Sequence, residues 1–410
     1  MARDTVGQRS ETVRRANLSA IVRELHLRGA LSRSELGLLT GLTRSAIRGL
    51  IGELVAAGLV TEVPSRPAGT PGRPSPLVRP EPDAASVLGL EINVDSLAAA
   101  RVGFGGAIGD RVRVDRPRAH LAAEEIIGDL VELARPILAG LQHHGGLIGV
   151  GVAVAGIVRR GDGYVRLSPN LGWREVPLGD LVRSALDVGA RLWVGNEADL
   201  AGLAEHRRGA AVGAGSVLHV TGEVGVGGNL IVDGRPVVGA AGYAGEVGHM
   251  PVNLSGARCG CGAIGCWETE IGERAMLARA GRSPDGGRAA VNEVIDAARN
   301  GEPAALEAMD AVGAWLGIGL AGLVNILNPA VVVLGGHFER IYPLVAQRVA
   351  RELDARALRA SREVVRLVPG VLGVDAPLLG AAELAFGPFL ADPAARLGSR
   401  RQRAALASAS

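Results

Sequence analysis

Four side chains able to bind a soft metal ion are grouped in the middle of this sequence. They are His249 and the three cysteines of the chain, Cys259, Cys261 and Cys266. Three cysteines within eight residues make a poor disulfide framework, because one of them is always left unpaired. One imidazole and three thiolates instead complete a tetrahedral Zn²⁺ shell, which leaves no open position for catalysis. We therefore predict one structural zinc ion per chain, held by the loop of residues 246–268; the alternative is three reduced cysteines and an unrelated histidine.

The elements that must position this loop follow an α/β pattern from residue 83 to residue 395. Short Val, Leu, Ile and Ala runs separated by glycines predict strands, and the stretches between them predict helices at 121–143, 303–327 and 340–359. The predicted strands are VLGLEI, LAAARV, AIGDRVRV and LIGVGVAVAG in the first half, and RLWVGN, SVLHVTG, GNLIVDG and VVVLGG in the second. Because the two halves follow the same plan, we expect two α/β lobes that face one cleft.

The first 82 residues carry a different pattern, that of three short amphipathic helices. Ser32 and Glu35 form a capping box that begins the second helix, and Gly41 breaks it. Thr43 caps the third helix, and Gly58 supplies its left-handed end. The buried faces of the three helices are predicted to comprise Leu18, Ile21, Val22, Leu25, Leu36, Leu39, Ile47, Leu50, Ile51 and Leu54.

A short helix, a glycine turn and a longer helix predict a helix-turn-helix, whose last helix enters the DNA major groove. The side chains predicted to contact DNA from this helix are Thr43, Arg44, Ser45 and Arg48. The LVTEV strand and the Pro/Gly-rich stretch after it predict a wing, in which Arg66 and Arg73 would reach a minor groove. Residues 1–80 hold 12 arginines against 6 acidic residues, which suits contact with phosphates. The alternative is a three-helix dimerisation bundle.

The rest of the composition restricts where the protein works. No apolar run reaches the roughly 18 residues needed to span a bilayer, and the first 30 residues are charged. We therefore expect a cytoplasmic protein without a membrane partner. The predicted domains are a DNA-binding winged helix-turn-helix with its linker (1–82), a two-lobed body (83–395) and a basic disordered tail (396–410).

Several stretches of the second region resemble the ROK family, named for repressor, open reading frame and kinase. The residues that carry the resemblance are VAVAGIV at 152–158, SPNLGW at 168–173, EVGH at 246–249 and CGCGAIGCWE at 259–268. The resemblance implies an actin-like, hexokinase-like (ribonuclease H-like) α/β fold of two lobes, dimeric or tetrameric, that binds a sugar in its cleft. A winged helix in front of it is similar to the arrangement in the family's xylose and N-acetylglucosamine repressors.

The resemblance also implies the sugar contacts. These are Asn196, Glu197, Glu246, His249 and Glu268, where Asn196 and Glu197 begin the counterpart of the family's Asn-Asp-Ala motif. In the kinases of the family, that Asp takes the proton from the attacking sugar hydroxyl. The longer side chain of Glu197 displaces the carboxylate, which near-attack geometry tolerates badly. The alternative for any one of these glutamates is a solvated surface charge.

Two phosphate-binding loops of the family's kinases are also altered in this chain. The family's Asp-x-Gly-x-Thr loop corresponds to residues 91–95, and its Gly-Thr-Gly-x-Gly-Gly-Gly loop to residues 223–229. The substituted positions are Asn93 and Asp95 in the first loop and Glu223, Val224 and Asn229 in the second. A carboxylate in either loop would repel a phosphate.

We therefore expect a sugar-responsive repressor of carbohydrate metabolism or transport genes, without catalytic residues. Its partners would be double-stranded operator DNA, a small sugar effector and further copies of the chain in a homodimer or homotetramer. The alternative is an ATP-dependent sugar kinase with an appended DNA-binding domain.

Overall fold

The computed structural model describes residues 4–64, 75–116, 118, 121–143 and 146–395. The predicted wing residues Arg66 and Arg73 and the predicted tail of residues 396–410 lie outside the described residues.

The N-terminal unit contains three helices and a small antiparallel sheet with the strand order β1-β3-β2. In chain order its elements are α1 (Asp4–Arg28), β1 (Leu31–Ser32), α2 (Arg33–Thr40), α3 (Arg44–Ala56), β2 (Val60–Val63) and β3 (Leu77–Pro80). The predicted capping box is confirmed, because the Ser32 hydroxyl accepts from Glu35 N at 3.2 Å and the Glu35 carboxylate accepts from Ser32 N at 2.7 Å. The predicted Thr43 cap is confirmed as well, since its hydroxyl accepts from Ala46 N at 3.3 Å. Helices α2 and α3 thus form the predicted helix-turn-helix.

One core prediction for α2 is wrong. Leu36 is fully buried, but Leu39 is 42% exposed. The helix has only two turns, and its inward line runs from Leu36 to Thr40, one full turn later. The half-buried Thr40 donates its hydroxyl to Leu36 O at 2.6 Å. Position 39 therefore faces outward, while the other predicted core residues of the three helices are buried.

The first lobe is built on a five-stranded sheet with the order β11-β7-β4-β5-β6, in which β11, β7 and β4 are parallel. In chain order its elements are β4 (Ser86–Ile92), β5 (Ser96–Gly103), β6 (Ile108–Asp115), α4 (Ala123–His143), β7 (Leu147–Val154), β8 (Ile157–Arg159), β9 (Tyr164–Ser168), β10 (Trp173–Val176), α5 (Leu178–Leu186), β11 (Leu192–Asn196) and α6 (Glu197–Arg208). Strands β8 to β10 form a separate small sheet beside it.

The second lobe repeats this plan with a sheet of order β14-β13-β12-β15-β16. In chain order its elements are β12 (Val217–Gly222), β13 (Val226–Val232), β14 (Arg235–Pro236), α7 (Glu268–Ile271), α8 (Glu273–Arg279), α9 (Gly287–Arg299), α10 (Pro303–Leu327), β15 (Val331–Gly336), α11 (His337–Arg356), α12 (Arg359–Val364), β16 (Arg366–Pro369) and α13 (Ala376–Ala391). In each sheet, two antiparallel hairpin strands lie beside three parallel strands joined by helices. The predicted pair of α/β lobes is confirmed.

The last helix, α13, leaves the second lobe and returns to the first. It packs against α6 and against strands β4 and β7. Its residues Phe386, Phe389 and Leu390 belong to the same apolar core as the buried residues of α1, α2 and α3. The winged helix-turn-helix is therefore packed on the first lobe, and not held at a distance by a linker.

Two helical segments are long and apolar enough, by length and composition, to cross a membrane: Pro303–Leu327 and Gly373–Ala391. This finding corrects the expectation that no apolar run is long enough. However, 50% of the first apolar window and 61% of the second are buried inside the protein. Helix α10 packs on α8, α9 and α11, and α13 packs on α6 and the first sheet. A core helix of a large α/β protein has this composition, so the two segments are weak evidence for a membrane span.

Candidate functional site

The four predicted metal ligands come together in the second lobe. One nitrogen and three sulfurs all lie within 4.8 Å of one another. Cys259 Sγ lies 3.7 Å from His249 Nδ1, and Cys261 Sγ lies 3.7 Å from Cys266 Sγ. Sulfurs bound at about 2.3 Å to a tetrahedral zinc ion are about 3.8 Å apart, so these distances fit such an ion. They are too long for a disulfide, whose sulfurs are about 2 Å apart. The cluster can therefore hold a metal ion.

The loop around this cluster is fixed by its own backbone and by one buried tryptophan. Gly265 has φ of 74°, and a Cβ at this position would lie 1.7 Å from Asn253 O. Only glycine fits such an approach. Trp267, next to Cys266, is fully buried and donates its Nε1 hydrogen to Trp315 O in α10 at 2.8 Å. The ligand segment is thus anchored to the core of the second lobe.

The five predicted sugar contacts line one cavity of about 440 Å³ between the lobes: Asn196, Glu197, Glu246, His249 and Glu268. The cavity is also lined by Ser168 and Asn170. Sequence reasoning did not name these two residues as contacts, although both belong to the SPNLGW stretch. The volume lies within the range of about 300–1,000 Å³ that small-molecule sites have.

The side chain of Asn196 forms hydrogen bonds within the protein. Its side-chain oxygen accepts from Ala198 N at 2.8 Å and from Asp199 N at 3.0 Å, and so caps α6. Its amide nitrogen donates to Gly156 O at 2.8 Å. Asn196 therefore fixes the start of α6 at the cavity wall, with little hydrogen-bonding capacity left for a ligand.

Glu197, the first residue of α6, differs from Asn196 in its hydrogen bonding. Its Oε2 is buried and has no hydrogen-bond partner among the described residues. Burial, together with the nearby carboxylates of Glu223 and Glu91, raises the pKa of Glu197 to about 8. At neutral pH the group is mainly protonated, so it can donate a hydrogen bond to a sugar hydroxyl. A protonated carboxyl is a poor general base.

The metal cluster and the cavity share a wall. With His249 Nδ1 facing the sulfurs, its Nε2 lies 4.0 Å from the carboxylate of Glu246. Glu268 Oε2 accepts from Val226 N at 2.9 Å, and its Oε1 lies 3.6 Å from Cys259 Sγ. The loop that holds the metal ligands therefore also sets the positions of three predicted sugar contacts.

Ion pairs line the end of the cleft that contains the counterparts of the kinases' phosphate loops. Asp95 accepts from Arg118 at 3.2 Å and from Arg288 at 3.0 Å. Glu91 is buried and accepts from Arg113 at 2.7 Å. A cavity of only about 20 Å³ remains directly beside Glu91 and Arg113, which is room for water but not for a phosphate. A larger cavity of about 260 Å³ lies next to it, lined by Asp95, Glu223 and Arg288.

Sequence reasoning identified the acids at this end of the cleft but missed their arginine partners. Arg118 and Arg288 lie 23 and 193 residues from Asp95 along the chain. No spacing in the sequence indicates such pairs. Glu223 is partly buried, and desolvation raises its pKa to about 7.

On the winged helix-turn-helix, the predicted DNA contacts of the third helix are all exposed: Thr43, Arg44, Ser45 and Arg48. They occupy the cap and the first turns of α3. Arg79 on β3, the second strand of the wing, is exposed as well and was not predicted.

The comparisons with known proteins place these features in a family. The model of the ROK family matches residues 87–387. The xylose repressor of Bacillus subtilis (strain 168) is 27% identical over 387 residues, which cover 92% of this chain and 97% of the repressor. The glucokinase of Streptomyces coelicolor is 30% identical over 320 residues, which cover 73% of this chain and 98% of the glucokinase.

Among solved structures, a ROK family transcriptional regulator described as a homologue of the Escherichia coli MLC protein has the same fold. It superposes with a TM-score of 0.75 at 21% identity and covers 92% of this chain and 97% of its own. The predicted fold class is confirmed: a winged helix-turn-helix precedes a two-lobed, actin-like and hexokinase-like body. With its two lobes, its Cys/His cluster and this family match, the chain belongs to the ROK family.

Proposed function

We propose that the protein is a DNA-binding transcriptional regulator that responds to a sugar, and that its kinase-like body does not transfer phosphate. The observation that carries this proposal is the state of the cleft. One end is an open cavity lined by polar groups, and the other end carries the carboxylates of Glu91, Asp95 and Glu223, with the neighbouring arginines already paired to Glu91 and Asp95. Such a cleft suits binding of a small polyol and opposes binding of a nucleotide phosphate.

The protein would both donate hydrogen bonds to the sugar and accept hydrogen bonds from it. Glu197, protonated at neutral pH, would donate, and the carboxylates of Glu246 and Glu268 would accept. His249 would donate from Nε2, because its Nδ1 faces the metal ligands. Asn196 would act mainly by holding α6 in place, through its cap on the helix.

Loss of phosphoryl transfer is supported by the charges in the cleft. A transferred phosphoryl group needs cations and backbone N–H groups around it. Here the guanidinium groups of Arg113, Arg118 and Arg288 are already paired with protein carboxylates. Glu197 would in addition have to lose a proton before it could serve as the base.

The share of this chain that each relative covers supports a DNA-binding role for the N-terminal unit. The glucokinase covers 73% of this chain, whereas the xylose repressor covers 92% of it. We therefore assign residues 1–82 to DNA binding and residues 83–395 to the sugar-responsive body. The DNA contacts would be those exposed on α3, with Arg66 and Arg73 on the wing.

The remaining assignments follow from the same relatives and residues. We propose one structural zinc ion held by His249, Cys259, Cys261 and Cys266, a cytoplasmic protein, and a homodimer or homotetramer that brings two winged helices to one operator. Sugar binding would alter the distance between the two DNA-binding units by changing lobe closure, to the extent that the sugar prefers one arrangement.

A two-part experiment tests this proposal. A thermal-shift screen of the full chain against free sugars and sugar phosphates should find a stabilising sugar. That sugar should alter the salt-sensitive binding of the protein to a DNA fragment from the promoter region of its own gene. In parallel, the purified protein is incubated with ATP, Mg²⁺ and each sugar. A phosphorylated product at turnover typical of kinases, about 1–100 s⁻¹, would overturn the proposal.

The second candidate, an ATP-dependent sugar kinase with an appended DNA-binding unit, is favoured by one observation. Several relatives are named glucokinase, and the one from Streptomyces coelicolor is aligned along 98% of its length. The incubation with ATP separates the two candidates directly, because only the kinase converts its sugar.

A further inference from the structure

A buried polar cluster lies where the winged helix-turn-helix meets the first lobe. We call it the interdomain cluster; its members are His26, Arg207, Arg208 and Glu383. His26 is fully buried, and its Nε2 lies 3.1 Å from Glu383 Oε1. Arg207 and Arg208 donate to the same carboxylate at 2.9 Å and 2.5 Å. One carboxylate on α13 therefore joins α1 of the DNA-binding unit to the end of α6.

The hydrogen bonds fix the protonation state of His26. Gly105 N donates to His26 Nδ1 at 3.2 Å, so Nδ1 carries no proton and Nε2 must donate to Glu383. The imidazole is thus neutral while it is docked. Its ring packs against Phe386, with centroids 4.5 Å apart, and stacks on Phe104 at 5.8 Å. His26 fits this place only when both the carboxylate and the Gly105 turn are in position.

The Gly105 turn is itself held by α6. Arg208 Nη1 donates to Gly105 O at 3.1 Å. Gly106, with φ of 79°, lies so close to Arg208 that a Cβ there would be 2.2 Å from the guanidinium carbon. The end of α6 therefore contacts both groups that hold His26, the Glu383 carboxylate and the Gly105 backbone.

Helix α6 joins this cluster to the sugar cavity. It begins with the Asn196 cap and Glu197 at the cavity wall, and Arg207 and Arg208 are the last two of its twelve residues. A helix of this length spans about 18 Å. A cavity of about 230 Å³ lies along it, lined at one end by Asn196 and at the other by Arg207 and Glu383, so one face of the helix is not covered by other elements among the described residues.

We propose that α6 couples the sugar cavity to the winged helix-turn-helix, with Glu383 as the positioning residue through which the helix acts on His26. The inference rests on the proposed function and names its regulatory connection. A shift of α6 on lobe closure withdraws Arg207 and Arg208 from Glu383. A buried carboxylate without its cations is strongly unfavourable, and a neutral His26 does not replace them. The carboxylate then takes up water, and α1 loses its buried polar contact with α13, which weakens the docking that its apolar residues also provide.

A second ion pair between the same elements provides a matched control. Arg15 of α1 pairs with Asp392, the residue after α13, and both side chains are partly exposed. This pair also joins α1 to the C-terminal segment, but no described contact of Asp392 reaches α6. Asp392→Asn therefore removes a contact between the same two units without removing the proposed connection.

The experiment is hydrogen exchange of the full, zinc-loaded chain, measured with and without D-xylose or D-glucose. In the wild type, the sugar that protects residues 246–268 should accelerate hydrogen exchange of residues 18–26, because the contact of α1 is weakened. The acceleration should be at least about fivefold, which is the lower range of allosteric couplings. Glu383→Gln should keep the protection of residues 246–268 and lose the change in α1. Asp392→Asn should behave as the wild type. If Glu383→Gln does not fold, His26→Phe, which keeps the ring contacts, should give the same loss.

Three outcomes would overturn the inference, and they are distinguishable. If a sugar protects residues 246–268 in the wild type while α1 exchange stays constant, the coupling is absent but sugar binding stands. If Glu383→Gln or His26→Phe folds and retains the wild-type change in α1, the cluster is not the connection. If neither sugar protects residues 246–268, the proposed sugar response itself fails, and the coupling fails with it.

Discussion

Glu197 lies at the wall of the cavity, at the first position of α6. Its side chain carries a buried oxygen without a partner among the described residues, and lies near Glu223 and Glu91. The burial and the neighbouring carboxylates both disfavour the charged form. The residue is therefore suited to donate a hydrogen bond to a ligand and poorly suited to accept a proton from one.

The first prediction concerns the pH dependence of Glu197→Gln. The folded state retains the Glu197 proton up to a pKa of about 8, whereas the unfolded chain releases it near the ordinary value of 4.5. The folded state thus binds more protons in this window, and wild-type stability should fall as pH rises from about 5 to 8, by at most about 1.4 kcal/mol per unit. The variant lacks this slope, so its free energy of unfolding relative to the wild type should increase with pH.

Urea unfolding at pH 6, 7 and 8 measures this difference, with the exposed Glu363→Gln as a control. A Glu197→Gln variant whose relative stability stays constant over the three pH values would contradict a protonated Glu197.

The second prediction concerns the metal ligands. Cys261→Ser should lower the zinc content from about one ion per chain and destabilise the loop of residues 246–268, because metal binding and local folding are one equilibrium. Since this loop carries Glu246, His249 and Glu268, sugar binding should weaken by at least about tenfold, equivalent to 1.4 kcal/mol. Ser255→Ala, an exposed change in the same loop, should have neither effect.

Elemental analysis and sugar titration of the two variants provide the measurements. Retention of the full sugar affinity by a zinc-free Cys261→Ser protein would separate the cavity from the metal cluster and reject their coupling.

At the scale of single elements, α3 is the part that would meet DNA. Its inner face is closed by four buried residues, and its outer face presents Arg44, Ser45 and Arg48. The Thr43 cap fixes the start of the helix, which sets the depth at which these side chains enter a groove. Arg33 at the start of α2 pairs with Glu62 on β2 at 2.6 Å, so the helix pair is also fixed to the wing sheet.

The third prediction is that Arg48→Ala weakens operator binding. The loss should be about 1–3 kcal/mol if Arg48 contacts a base edge, and the salt dependence should fall by about one unit of slope if it contacts a phosphate. Arg299→Ala changes an exposed arginine on α9, away from the DNA-binding unit, and should leave affinity and slope unchanged. DNA-binding titrations at several salt concentrations distinguish these results. An Arg48→Ala protein with wild-type affinity at every salt concentration would remove this helix face from the interface.

At the scale of the whole molecule, the winged helix-turn-helix and the first lobe share one apolar core. Buried residues of α1, α2 and α3 contact the β4–β5 region and α13 without a break. Such packing holds the two units in one arrangement, so a change in the charge of a polar group inside it would affect that arrangement. The charged groups that face His26 are Glu383 from α13 and Arg207 and Arg208 from α6.

The fourth prediction concerns docking of the winged helix-turn-helix at acidic pH. Burial lowers the pKa of His26 below its ordinary value of about 6.5. The docked state therefore binds fewer protons than an undocked one. Docking should be complete above pH 6.5 and should weaken as pH falls below it, by at most about 1.4 kcal/mol per unit.

Exchange of residues 18–26 at pH 7.5 and 5.5, corrected for its intrinsic pH dependence, follows this docking. His26→Phe should remove the pH effect while it preserves the stacking on Phe104 and Phe386. A wild-type α1 that loosens toward alkaline pH would have the sign opposite to the one expected.

The sequence by itself determined the features that depend on local chemistry. Ser32, Glu35 and Thr43 act on backbone groups within three residues of themselves, so the helix starts could be predicted, and the helix of residues 303–327 was predicted with its observed bounds. The Cys/His cluster could be predicted because its three cysteines lie within eight residues and share one short loop. The sugar contacts could be named only by family resemblance.

Only the tertiary structure decided which distant groups meet. The pairs Asp95–Arg288 and His26–Glu383 join residues 193 and 357 positions apart, and no local pattern selects such partners among the chain's 44 basic and 42 acidic residues. The exposure of Leu39 and the burial of two long apolar helices also depended on what packs beside them. Burial and partner choice are set by the assembly of the lobes. They determine the protonation of Glu197, on which the proposed function rests, and that of His26, on which the proposed coupling rests.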